Sequence, residues 1–309
     1  MAGGKKEKGI GAATAIRQEN MERVLLSLYT LGPQTKLELV EHTGLSMSTV
    51  SEAINRLDIR GYVESEGSLQ STGGRRPDVY GLSRRKGLVA GLEVTDHVLR
   101  VTLQRLNGAC EESFAQSLSD AGAREALRAA TDRALQAAGG DLVAVGIGTT
   151  GAMDGELTGL LEEIRQKTSA VTAMDHRVNA RTMAEMVLGA GKGLRHFACL
   201  YRDAPEKAGI VADGRLLRGK DGMAGQGSGG ELLRLLNLET MISDREDLGE
   251  ACVVPPARCG EDFSPDCAVM AELRWFHLVL LKLREEEKDG ELWGKYRRSS
   301  DHPKQSGRQ

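Results

Sequence analysis

The chain has 309 residues, 40% of them apolar and 28% charged, which is enough to bury the cores of two domains. No apolar run reaches membrane-spanning length, and the Gly- and Lys-rich start lacks the apolar centre of a secretory signal, so a cytoplasmic protein with no membrane partner is expected. The net charge of −3 argues against a general polyanion binder, yet it is unevenly spread: residues 1–86 carry 13 Lys+Arg against 10 Asp+Glu, a net of +3, and the remainder carries −6.

Residues 1–14 read as a disordered basic arm. From residue 15 the pattern turns helical, with Met21, Val24, Leu25 and Leu28 on one apolar face and Gly32-Pro33 as the stop. Thr35 with Glu38 three residues on is a capping box, so a second, short helix begins there and ends at Thr43-Gly44. Ser46 then caps a third helix, whose core face is Val50, Ala53, Ile54 and Leu57 and whose end is Gly61. Two short helices around a tight glycine turn predict a helix-turn-helix.

The outward residues of the third helix are Ser46, Met47, Ser48, Thr49, Ser51, Glu52, Asn55 and Arg56. A helix that enters the major groove needs short side chains at its leading end, then amide and guanidinium groups that match base edges. On the helices alone, a three-helix bundle whose polar face meets only water fits as well. The stretch "STGGRRPDVYGL" separates the two readings. "GYVESEG" and "DVYGL" predict a β-hairpin directly after the helices, and its loop, residues 67–77, carries Gly73, Gly74, Arg75 and Arg76. Glycines let the backbone approach closely, and arginines on such a tip suit phosphates or a narrow minor groove. Residues 15–86 are therefore expected to form a winged helix-turn-helix that binds double-stranded DNA.

Beyond residue 86, "GLVAGLEV", "HVLRVTLQRL" and "ESFAQSL" predict strands, with Asn107-Gly108 as a hairpin turn. An Ala-rich helix ending at Gly139-Gly140 and the apolar strand "LVAVGIGTTG" follow, the start of an α/β domain. "HFACLYR" and a hairpin at Asp213-Gly214 supply later strands. "VMAELRWFHLVLLKLREEE" predicts an amphipathic helix with Leu273, Phe276, Leu280 and Leu283 on its apolar face, suited to a core or to a dimer contact. Residues 291–309 read as a polar tail.

The segments "LELVEHTGLSMSTVSEAINRLDIRGYV", "STGGRRPDVYGL" and "GLVAGLEVTDHVLRVTLQRLNG" resemble the ROK family of repressors and sugar kinases, and the resemblance runs on through "VAVGIGTTGAMDGE" and "GIVADGRLLRGKDGMAG" to about residue 235. It implies a winged helix-turn-helix joined to a shortened, actin-like (ribonuclease-H-like) α/β body over residues 87–290. It also implies a homodimer acting as a repressor of carbohydrate-related genes, with a sugar effector. The kinase features are eroded. The first phosphate loop reads Glu93-Val94-Thr95-Asp96-His97 without its glycine pair, and the second, Arg202 to Lys207, contains Pro205. Aligned on Ala184-Glu185, the base position falls on Arg177, which cannot accept a proton.

Of the implied sugar contacts, Gly151, Asp154 and Asn179 survive, while Gln226 and Gly229 stand where the family has Glu and His. Cys252, Cys259 and Cys267 are spaced too widely for the family's zinc knuckle, so no metal and no cofactor are expected. The sequence reading is a sequence-specific transcriptional regulator of the repressor type. One alternative is a regulator whose body only dimerises; the other is a sugar kinase, which Arg177 disfavours.

Overall fold

The computed structural model describes residues 4–68, 77–118, 123–150, 154–202, 204–219, 224–225, 240–243, 253–254, 265–266 and 268–269. The chain divides into two compact units, Met1–Leu82 with Phe276–Gln309, and Ser83–Trp275.

The first unit opens with helix α1 (Gly4–Leu31). The helix takes in most of the stretch expected to be a disordered arm. Lys and Ala are good helix formers, and the glycines between them do not stop it. Met21, Val24, Leu25 and Leu28 are buried, as their spacing predicts. Strand β1 (Gln34–Thr35) leads into α2 (Lys36–Thr43), and Gly44 turns the chain toward α3 (Met47–Ile59). That turn needs a left-handed residue, and Gly44 supplies it at φ 69° without a Cβ penalty. Strands β2 (Val63–Ser68) and β3 (Asp78–Leu82) pair antiparallel, and β1 adds to β3 through Gln34 opposite Tyr80. The expected hairpin is therefore present; its tip, with Gly73, Gly74, Arg75 and Arg76, lies outside the described residues.

In the second unit, β4 (Leu88–Val94), β5 (Val98–Arg105) and β6 (Cys110–Ser117) form an antiparallel meander. Helix α4 (Ala123–Ala138) leads to β7 (Leu142–Thr149), and α5 (Asp154–Lys167) leads to β8 (Val171–His176). Both of these strands are parallel to β4, which gives the order β6-β5-β4-β7-β8. Leu127, Ala130 and Ala134 of α4 and Leu157, Leu160, Leu161 and Ile164 of α5 close the core against this sheet. Helix α6 (Arg177–Leu188) carries the chain onward.

A second sheet then repeats the pattern. Strand β9 (Phe197–Tyr201) pairs antiparallel with β10 (Ala204–Ala212), which pairs antiparallel with β11 (Arg215–Leu216). On the other side of β9, β12 (Thr240–Ser243) and β13 (Val253–Val254) run parallel, giving β11-β10-β9-β12-β13. Strand order and directions match the first sheet position for position. The body expected to be shortened thus keeps all five strand positions in its second half, three of them only two to four residues long. Among the described residues, no helix is long and apolar enough to cross a membrane.

Candidate nucleic-acid interface and body crevice

Helix α3 packs Val50, Ala53, Ile54 and Leu57 inward and turns its remaining residues out. Ser46 caps it, accepting from Thr49 N–H at 3.2 Å, and its hydroxyl also meets those of Ser48 at 2.9 Å and Thr49 at 2.8 Å. The contrast with α2 is one of charge. There Glu38 accepts from Thr35 N–H at 2.7 Å and from its hydroxyl at 2.8 Å, and these bonds hold its carboxyl below the usual range. A carboxylate thus sits on the positive end of α2. The corresponding residue of α3 is Thr49, and its first turn has no acid, so no carboxylate sits at the positive end of that helix dipole.

Along α3, Ser46, Met47, Ser48, Glu52 and Asn55 are exposed, Met47 to 45%. Thr49 and Ser51 are half-buried. Arg56 lies back along the helix: its Nε and Nη2 reach Glu52 Oε1 at 3.1 and 2.9 Å, and only 13% of its side chain is exposed. On the other side of the unit, the Lys36 ammonium stacks 5.2 Å from the Tyr80 ring centre, tying the start of α2 to the strand that leaves the hairpin.

In the body, the parallel strands β4, β7 and β8 end side by side, Val94 opposite Thr149 and Thr149 opposite His176. Ligands of open α/β sheets bind beyond such ends. Glu93 is fully buried there between two cations. Arg177 Nη1 donates to its Oε1 at 2.7 Å, and Arg100 Nη1 to its Oε2 at 2.9 Å. The residue at the expected base position is therefore tied to the acidic residue of the first phosphate loop. That loop is itself closed. Thr95 N–H donates to Val98 O at 3.0 Å, and Thr95 Oγ1 accepts from Val98 N–H at 3.1 Å and from His97 N–H at 3.5 Å. The N–H groups of Thr95, His97 and Val98 are thus engaged inside the turn.

Asn179 is buried, and its amide donates to Asp175 Oδ1 at 2.6 Å. Asp175 also accepts from Arg218 Nε at 2.8 Å and from His176 N–H at 2.7 Å. Among the described residues, the buried Asn179 Oδ1 and Thr150 Oγ1 at this end of the sheet have no hydrogen-bond partner. Asp154 begins α5, but its side chain, like Gly151, Gln226, Gly229, Cys252, Cys259 and Cys267, lies outside the described residues. The Glu93–Arg177 pair had no sequence signal, since its partners are 84 residues apart.

His176 caps α6, its Nδ1 accepting from Val178 N–H at 3.2 Å. Burial, with Lys207 and Arg177 nearby, pushes its pKa down from 6.5 to about 4, against the opposing pull of Asp175. Between those values the unfolded chain binds a proton that the folded ring refuses, so stability falls as pH drops through this window and this group adds nothing further below it. We expect His176→Asn, which keeps a capping oxygen, to be more acid-resistant than the parent. The difference should be about 1–2 kcal/mol after allowing for the ring's remaining solvent contact, read as the gap between urea midpoints at pH 7 and pH 4.5. Parallel losses in both proteins would show that the ring does not carry this pH dependence.

No family model matches the chain. It is 24% identical over 236 residues to the xylose repressor of Bacillus subtilis (strain 168), covering 70% of this chain and 61% of that protein. It is 22% identical over 237 residues to the DNA-binding transcriptional dual regulator NagC of Escherichia coli (strain K12), covering 70% and 58%. The solved structure of a ROK family transcriptional regulator, a homologue of the E. coli MLC protein, superposes at a TM-score of 0.63 and 14% identity over 88% of this chain and 99% of that one. The chain is thus similar in sequence to proteins named as repressors and regulators, and in fold to a ROK family transcriptional regulator. The chain spans about three fifths of the length of those two repressor and regulator sequences. Its two sheets with their helices fit the α/β body that the resemblance implied. Within that body, the crevice holds an ion pair where the resemblance places catalysis.

Proposed function

We propose that this protein is a sequence-specific DNA-binding transcriptional regulator of the ROK repressor type, acting as a homodimer on carbohydrate-related genes. Residues 15–86 are its winged helix-turn-helix. Helix α3 enters the major groove through Ser46, Met47, Ser48, Thr49, Ser51, Glu52 and Asn55, and the wing, with Gly73, Gly74, Arg75 and Arg76, grips the flanking backbone. The observation that carries the reading is the outward face of α3, polar and exposed beneath a helix N-terminus without an acid. Phosphoryl transfer is not its chemistry. The base position is a cation paired to Glu93, and the first phosphate loop turns three of its N–H groups, those of Thr95, His97 and Val98, onto itself.

The experiment is capture of fragments of its own genome by the full chain, followed by titration at several salt concentrations. Arg75→Ala with Arg76→Ala should weaken binding to every sequence and flatten the salt slope by about one to two units per protomer, since each lost phosphate contact is worth about 0.9. A double variant with the parent's slope removes the wing from the interface. A parent that retains no fragment ends the DNA reading.

A second reading, a body that dimerises without sensing a small molecule, is favoured by the same ion pair and by the engagement of Asn179 with Asp175. Adding common sugars and sugar phosphates to the titration separates the two, because a body that only dimerises leaves the affinity unchanged.

A further inference from the structure

The buried stripe of α3 fixes which residues point farthest from the core. With Val50, Ala53, Ile54 and Leu57 inside, the opposite line runs through Ser48, Glu52, Asn55 and Ile59, at i, i+4, i+7 and i+11. All four are exposed. Glu52 is at the middle of that line, with 51% of its side chain exposed. Arg56 is on its flank and is mostly covered. Its Nε and Nη2 both donate to the same carboxylate oxygen, Oε1. Arg60 Nη1 in turn donates to Arg56 O at 3.0 Å, closing the flank behind it. The other oxygen, Glu52 Oε2, makes no hydrogen bond among the described residues, on a side chain that is half exposed.

A carboxylate on the groove-facing line of a DNA reader is a liability, because it repels phosphates. It is repaid in one setting, when it accepts from a base amino group. The major groove offers two such groups, on cytosine N4 and adenine N6. Beside adenine N6 stands the N7 acceptor of the same base, which opposes a second acceptor; cytosine presents only the amino donor.

On the DNA-binding reading above, we propose that Glu52 is the base-reading residue of α3 and selects a cytosine, and that Arg56 is a positioning residue. Arg56 fixes the carboxylate's rotamer and leaves one oxygen for the base.

The test is selection by the full chain from a library of random-sequence duplexes, run on the parent and on Glu52→Gln, Glu52→Ala and Arg56→Ala. Melting followed by circular dichroism shows that each variant is folded. The parent should enrich a cytosine at one position of each half-site. In Glu52→Gln, whose amide still offers Arg56 an acceptor and matches adenine N6 and N7, adenine should replace cytosine at that position alone. Glu52→Ala and Arg56→Ala should each relax that position roughly tenfold and leave the others as they are.

The proposal is overturned if Glu52→Gln keeps the cytosine, or if Glu52→Ala tightens binding to all sequences without changing any preference. It is also overturned if Arg56→Ala instead erases a guanine elsewhere in the site, which would make Arg56 the reader. A parent that enriches no sequence removes the DNA-binding reading itself, and this assignment with it.

Discussion

Arg177→Met should lower the unfolding free energy of the protein by about 3 kcal/mol, because it strands a carboxylate in a place with no water to receive it. Glu93 is fully buried, and Arg177 bridges its Oε1 at 2.7 Å. Arg100 still holds the other oxygen at 2.9 Å, which keeps the loss at the lower end of the range for a broken buried pair. Adding Glu93→Gln to Arg177→Met removes the stranded charge and should recover more than half of the loss. The non-additivity, read from urea unfolding of the four proteins in the cycle, measures the pair directly. A single-variant loss below about 1 kcal/mol, or strict additivity, would mean that the pair is incidental to the fold.

Gly209→Ala should cost nearly as much, about 2–3 kcal/mol, by overpacking. Gly209 faces α6 from strand β10, and a Cβ there would overlap Thr182 Oγ1 and stand 2.7 Å from Thr182 Cβ. Thr182 cannot swing aside. It is fully buried, and its hydroxyl donates to Val178 O at 2.7 Å. Thr182→Ala in the same background removes the colliding atom and should return over 1 kcal/mol, seen as a higher melting temperature than that of Gly209→Ala alone. If the second substitution only adds to the damage, close approach of helix and strand is not what the glycine provides.

What could be read from the sequence was local. The capping box at Thr35 and Glu38, the cap at Ser46, the buried stripe of α3 and the hairpin through residue 82 all rest on neighbours within a few positions, and each stands in the structure as the spacing required. The start of α1 misled because glycines among lysines resemble a loose arm, whereas one continuous helix needs only that nothing stop it. Arg56 shows a different limit of spacing. Its i,i+4 relation to Glu52 was legible, but spacing alone does not say whether a guanidinium reaches outward or folds back. In the body, the first sheet had clear alternation and turns. Strands β12 and β13, four and two residues long, are too short for any periodicity. The crevice was the least legible part: Glu93 meets Arg177 across 84 residues, and Asp175 meets Arg218 across 43. Such partners are chosen by topology, after the strands have paired.

Helix α6 touches β7 and β8 of the first sheet and also β9 and β10 of the second. One helix of twelve residues is therefore a keystone for both halves. Its first turn carries Arg177 and Asn179, and its second carries Thr182. A torque applied at the crevice end is thus delivered to the far sheet without passing through a loop. For the two halves of the body α6 is a shared lever, and whatever leans on one end of it is weighed at the other.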